Sequence, residues 1–180
     1  MISTTLSPAA LPRSSLLQRQ QLALAMIQRR EPLAEVLTLL CHIVEAETPL
    51  SVRAAILLVD PVRNVVYTAA APGLPDHYNR AVDGIAISPT IGTCAAAAAT
   101  GQTVVTADIA NDPHWAGIAH LPLGLGLVSA WSMPIKSSAG VVLGTFGTYF
   151  NELREPSDGE RELVAFLAVT AALAIESAAT

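Results

Sequence analysis

The chain has 180 residues, enough for one domain with a full hydrophobic core. Fifteen acidic against ten basic side chains leave a formal charge of −5, which offers nucleic acid or an anionic membrane no electrostatic attraction. With 52% hydrophobic and 14% charged residues the chain is not a disordered tail, and no apolar run reaches the ~18–20 residues of a membrane-inserted helix.

Residues Met1 to Arg13 are rich in Ser, Thr and Pro without a period, and residues 1–13 read as a flexible arm. Residues 14–31 read as a linker or dimerisation helix, with Ser14 or Ser15 as N-cap and Leu16 to Arg30 as its body. Gln18, Arg19, Gln20 and Gln21 interrupt any signal-peptide-like core there. Leu16, Leu17, Leu24 and Ile27 form an apolar surface on this helix that pairing with a second copy would remove from water. Residues 32–180 read as the main domain. Pro32 opens a second helix, in which Leu33, Val36, Leu37, Leu40 and Val44 make one apolar stripe, ending near Thr48-Pro49.

The period then shortens. Ala54 to Val59 and Val65 to Ala70 are strand-like and flank a turn at residues 60–64. Residues 71–126 read as loops and brief helices, with one strand at Thr103 to Thr106. Within them Thr93 is a candidate N-cap for a short helix through Cys94 that Gly101 ends in a left-handed conformation. Strands at Leu127 to Ile135 and Val141 to Phe150 follow, joined by a turn ending in Gly140. Ser157-Asp158-Gly159-Glu160 is a capping box, and Leu163, Phe166, Leu167, Thr170, Leu173 and Ala174 carry the last helix. Hairpins bracketed by helices predict an α+β fold with an antiparallel sheet of about six strands. The terminal helices cover one face and the irregular middle closes a cavity over the other.

Five short words occur in a fixed order: Ala71-Pro72-Gly73-Leu74-Pro75, Ile91-Gly92-Thr93-Cys94, Asp108 through Trp115, Ala130 through Ile135, and Val142 through Phe146. Together they resemble the GAF domain family, in the branch found in bacterial sensor histidine kinases and cyclic-di-GMP signalling proteins. The resemblance spans Pro32 to about Ser177. It implies a noncatalytic sensory domain that binds a small molecule on the loop side and pairs through its terminal helices. A signalling kinase or cyclase would be the partner.

The loop-side cavity is expected to draw on Tyr78, Ile91, Thr93, Cys94, Asp108, Trp115 and Trp131. No Lys or Arg stands among them, which suits an uncharged or weakly polar ligand better than a phosphate. Asn79 is a further polar candidate there. Cys94 has two readings. At a helix start it is a redox-sensing thiolate, and as a small buried side chain it is packing, the reading its sequence neighbours favour. Trp131 reads equally as pocket wall or core anchor. Asp108 and Asp112 suit local turn bonds, with Asp108 the one to be aimed inward.

Other chemistries fare worse. The resemblance includes a branch that reduces free methionine sulfoxide, but residues 111–120 lack the further cysteine that reaction needs. Covalent bilin is disfavoured, because Cys41-His42 falls inside the second helix and Cys94 is followed by Ala95. A haem would have His77, His114 or His120 as its axial candidate, and no cofactor is assigned. His42, His77, His114 and His120 show no i, i+4 zinc spacing and no Cys-x-x-Cys partner. A free-cysteine chain of this length fits a reducing, cytoplasmic setting. A structural dimerisation module with a collapsed pocket is the main rival to sensing.

Overall fold

The computed structural model of the protein describes residues 15–48 and 50–180. The proposed arm, the Ser14 cap and Pro49 lie outside the described residues. The first helix, α1 (Leu16–Gln28), begins at a capping box in which the Ser15 hydroxyl accepts the Gln18 N–H and the Gln18 side chain accepts the Ser15 N–H. It stops two residues before the expected Arg30. Arg30 takes a left-handed φ of 56° and donates its N–H to the Ile27 carbonyl, while Glu31 donates to Met26. That pair of bonds is a Schellman closure with arginine where glycine is favoured.

Pro32 then caps α2 (Leu33–Glu47), which buries Val36, Leu37, Leu40, Cys41, Ile43 and Val44. The close link folds α1 back onto α2 and α6 (Asp158–Ala178). Arg19 pairs with Glu47 at 3.0 Å, and Gln20 donates to the Thr170 hydroxyl at 3.3 Å.

Six strands form one antiparallel sheet: β1 (Val52–Asp60), β2 (Val65–Ala70), β3 (Ile85–Ala86), β4 (Val104–Thr106), β5 (Ser129–Lys136) and β6 (Val142–Phe150). Their order is β3-β2-β1-β6-β5-β4. The β1–β2 turn is closed by Asp60, whose Oδ1 accepts the N–H groups of Val62 and Arg63. β3 escaped the sequence reading because a two-residue strand carries no measurable alternation.

Both faces of the sheet are covered, so polar and apolar residues do not simply alternate along its strands. On one face α2 and α6 pack on Ile56, Trp131, Ile135, Phe146 and Phe150. The other face holds Leu57, Val66, Ala130 and Tyr149 beneath the loops and three short helices: α3 (Asp76–Val82), α4 (Cys94–Thr100) and α5 (His120–Leu123). The strand-to-helix corner before α6 is pinned by Arg154. Its guanidinium meets both Glu160 carboxylate oxygens at 2.7 Å and stacks 3.6 Å from the Phe150 ring centroid. Glu160 also completes the capping box on Ser157.

Two glycines on β6 allow close approach, at Gly144 by the neighbouring strand and at Gly147 by the layer above. A Cβ at Gly144 would run into the Leu57 carbonyl of β1, and one at Gly147 would lie 2.9 Å from the Cys94 sulfur. A side chain at either place would push that neighbour away.

Candidate functional site

The loop-side cavity is walled by segments far apart in the chain, over strand residues of β1, β2, β3 and β6. Pro75 starts α3 and turns Tyr78 inward, leaving it 1% exposed. The turn at Gly92, with φ of 53°, brings Ile91, Thr93 and Cys94 in from a second direction. Gly92 is held by donating its N–H to the His114 carbonyl. A 3-10 turn at Pro113–Trp115 supplies the third wall, and β6 supplies Tyr149 as the floor.

Trp115 is fixed by a chain of bonds. Its indole N–H donates to the Thr106 hydroxyl at 3.1 Å, and that hydroxyl donates to Asp112 at 2.7 Å. Asp112 accepts the His114 N–H and pairs with the His114 ring, both at 2.9 Å. Partial burial opposes ionisation of Asp112, but these bonds outweigh it and hold the carboxyl below its ordinary range.

Thr93 and Cys94 join a buried group of neutral polar side chains. Ser132 on β5 donates to the Thr93 hydroxyl at 2.8 Å, and its oxygen lies 3.1 Å from the Cys94 sulfur. Thr93 therefore makes no side-chain cap for α4, correcting the sequence expectation: its hydroxyl is occupied by Ser132. Gly101 does end that helix left-handed, with φ of 64°. Burial pushes the Cys94 thiol above its ordinary pKa, against the smaller influence of the Ser132, Thr145, Thr93 and Tyr149 hydroxyls. The thiolate of a redox sensor is thus disfavoured, and Cys94 is a packed, hydrogen-bonded thiol.

Tyr78 and Tyr149 meet edge to face with centroids 5.9 Å apart, and Trp115 meets Tyr149 in the same way at 6.4 Å. Burial raises both tyrosine pKa values, so each ring keeps its hydroxyl proton. The Tyr78 and Thr145 hydroxyls are buried and make no well-formed hydrogen bond, Tyr78 facing the Tyr149 hydroxyl and Thr145 the Cys94 thiol. None of the cavity's lining residues carries a charge. The void at its centre is about 30 Å³, room for one or two water molecules, within a cleft of about 360 Å³ that opens outward.

The structure brings Tyr78, Ile91, Thr93, Cys94 and Trp115 together and leaves two expected members elsewhere. Asp108 faces its own turn, accepting from the Ala110 N–H and the Asn111 side chain. Asn111 and Ala110 satisfy both carboxylate oxygens there, and no force draws the charge into an apolar cavity. Trp131 lies on the helix side, with Arg161 of α6 5.8 Å from its ring. Strand alternation decides this: Ser132 faces the loop side beneath Thr93 and Cys94, so its neighbour Trp131 faces away.

Asn79 is half-buried and donates to the Leu74 carbonyl. His77 and His120 are exposed, His114 serves Asp112, and none of the three lines the cavity. No cluster of three metal-ligating side chains occurs among the described residues. Sequence reasoning missed Ser132, Thr145 and Tyr149. The signal available was the period-two row Thr145, Gly147, Tyr149 once Cys94 was placed over Gly147.

The α1 surface also needs correction. Leu16 and Ile27 pack against the chain's own helical core, and Leu24 is half-buried, because the α1–α2 link turns that stripe inward. Leu17 stays exposed, as does Leu22. On α6, Phe166, Val169 and Leu173 form an uncovered ridge. A wider groove of about 670 Å³ between α1 and α2 is an open surface hollow that includes Leu22, Leu39 and His42.

A family model described as GAF domain matches residues 31–176. A methyl sulfide methyltransferase-associated sensor of Methanosarcina acetivorans is 34% identical over 161 residues, covering 89% of this chain. The chain spans only 16% of that protein's length. A domain of a two-component sensor histidine kinase protein from Sinorhizobium meliloti has the same fold, with a TM-score of 0.68 at 21% identity over 83% of this chain and 94% of that one. The free methionine-R-sulfoxide reductase of Neisseria meningitidis, solved with its substrate, superposes with a TM-score of 0.72 at 18% identity, covering 97% of each chain.

Proposed function

The chain belongs to the GAF domain family, and from that premise we propose that it works as a noncatalytic sensory domain whose loop-side cavity receives a small molecule. The observation that carries this reading is the cavity itself: segments distant in sequence converge there on an apolar, uncharged hollow walled in part by Tyr78, whose buried hydroxyl makes no well-formed bond. The sensor among its relatives and the histidine-kinase domain of like fold point the same way. A reductase reading is poorly supported. Cys41 packs in the helical core and Cys94 lies on the loop side, so the two thiols flank opposite faces of the sheet.

Adjacent residues of β5 offer the route for a signal. Ser132 touches Thr93 and Cys94 in the cavity, while Trp131 packs against α6. A ligand that shifts Ser132 shifts the strand and, with it, the seat of α6. The output would pass through the helices to a signalling kinase or cyclase in the cytoplasm.

A second copy is the occupant proposed for the α6 ridge. Phe166, Val169 and Leu173 follow the 3-then-4 spacing of a helix–helix seam, and Glu162 and Glu176, next in the row, mark its two ends. Val169 is 73% exposed, which a lone domain has no reason to favour. Sedimentation should find a dimer at micromolar concentration, and Val169→Glu should make it a monomer with unchanged circular dichroism. A monomeric wild-type chain would remove this part of the proposal.

Native mass spectrometry of freshly purified protein, with its absorption spectrum, tests the sensing reading. A bound small molecule supports it. A chain that emerges empty and binds nothing from a metabolite library would favour a purely structural dimerisation module.

A further inference from the structure

We propose that the loop-side cavity selects a compact neutral molecule carrying one strong hydrogen-bond acceptor on an apolar body, with the Tyr78 hydroxyl as the donor that receives it. The proposal rests on the reading of this cavity as a ligand site and specifies the chemistry that site accepts.

Three observations converge. First, Tyr78 is 1% exposed, its ring forms part of the cavity wall, and its hydroxyl faces that of Tyr149 without a well-formed hydrogen bond to any group. A buried O–H in that condition is a free donor, and an acceptor brought to it replaces a standing deficit rather than an existing bond. Second, the remaining polar groups face one another: the Tyr149 hydroxyl is turned toward Tyr78 and Cys94, and Thr93 and Cys94 are bonded to Ser132. The Thr145 hydroxyl faces the Cys94 thiol of that chain without a well-formed bond. A ligand rich in donors and acceptors would have to break that chain, whereas one with a single acceptor would not. Third, the walls are Leu57, Val66, Ile85, Ile91, Trp115 and Ile118, and no charged side chain stands among the lining residues. A carboxylate, phosphate or ammonium group would lose its hydration there without a counter-charge. The narrow void favours a small body, because each added atom requires the walls to part further.

The two tryptophans supply an internal control. Trp115 lines the cavity and Trp131 lies on the opposite face of the sheet, so their indole N–H resonances report separately on the two cores. The test uses the nitrogen-15-labelled chain, with resonances assigned through Trp115→Phe. Three probes are titrated: cyclopentanone, its isostere methylenecyclopentane, which lacks the acceptor, and cyclopentanecarboxylate. Cyclopentanone should move the Trp115 signal and leave Trp131 in place. It should bind roughly tenfold more tightly than methylenecyclopentane, the worth of one well-made neutral hydrogen bond, and the carboxylate should not bind.

In Tyr78→Phe the two neutral probes should bind within about twofold of each other. The wild-type comparison of ketone with alkene stands even if that variant fails to fold. Equal binding of ketone and alkene, or a ketone preference that survives Tyr78→Phe, overturns the proposal. So does a Trp115 signal that no probe moves. Carboxylate binding at Trp115 overturns the ligand class while leaving the cavity a ligand site. A molecule found by native mass spectrometry alongside three silent probes has the same consequence.

Discussion

Tyr78→Phe should stabilise the unliganded protein, although it removes a polar group from a fully buried position. The hydroxyl of Tyr78 is out of water and faces the Tyr149 hydroxyl without a well-formed bond. Burying such a group without a partner costs about 1–3 kcal/mol relative to leaving it hydrated. The substitution removes that cost and keeps the ring, with its edge-to-face contact on Tyr149 at 5.9 Å. Against the gain stands the lost packing of one oxygen atom, a few tenths of a kcal/mol at about 0.1–0.2 per atom pair. The expected net is a gain of about 1 kcal/mol, or about 2–4 °C in Tm for a chain of this size. Urea denaturation followed by circular dichroism measures it, with the midpoint rising and the slope unchanged. Stability that falls by more than about 1 kcal/mol would refute the reasoning, because the hydroxyl would then have a partner. The unliganded fold is less stable than it could be at the point where a ligand would be held.

The thiols should be silent in the native state. Burial raises the pKa of both Cys41 and Cys94, so the reactive thiolate is scarce at pH 8. An aromatic disulfide reagent should find two thiols in denaturant and none in the folded protein on the same timescale, and rapid native labelling of Cys94 would revive a redox role. Arg30→Gly should stabilise by about 1 kcal/mol, since φ of 56° strains a residue with a Cβ, and a lower Tm would refute it. Glu160→Gln should cost about 1–2 kcal/mol at pH 7 through loss of the two-point bond to Arg154. Arg154 holds the Glu160 pKa below its ordinary 4.5, so this stability is present above that value and is lost as pH falls through the depressed one. Thermal melts from pH 6 to 3 should show a shallower acid loss in the variant than in the wild type.

Much of the architecture was legible because its signals are local. The Ser157–Glu160 box starts α6, the stripe from Leu33 to Val44 makes α2, and turn residues mark the two long hairpins. Each involves groups only a few residues apart, where backbone geometry alone sets which side chains meet. The cavity was legible in part. Tyr78, Ile91, Thr93, Cys94 and Trp115 stand in or beside the family-like words, and the irregular segment had to cover an apolar sheet. Tyr149, which floors the cavity, and Ser132 and Thr145, which stand behind Cys94, read in sequence as ordinary strand residues.

The amino-acid order by itself determined the α+β class, the places of both long helices and the loop-covered face, since periodicity and capping act within a few residues. Only the tertiary structure decided that Trp131 faces the helices while Ser132 faces the cavity, and that Thr93 bonds across to β5 instead of capping its own helix. It alone decided that the Leu16 and Ile27 stripe seals the chain's own core and leaves the α6 ridge uncovered. Those outcomes depend on strand register and on which layers meet. Register is set by the sum of many contacts between residues far apart in the chain, and a one-residue slip would exchange every inward side chain for an outward one.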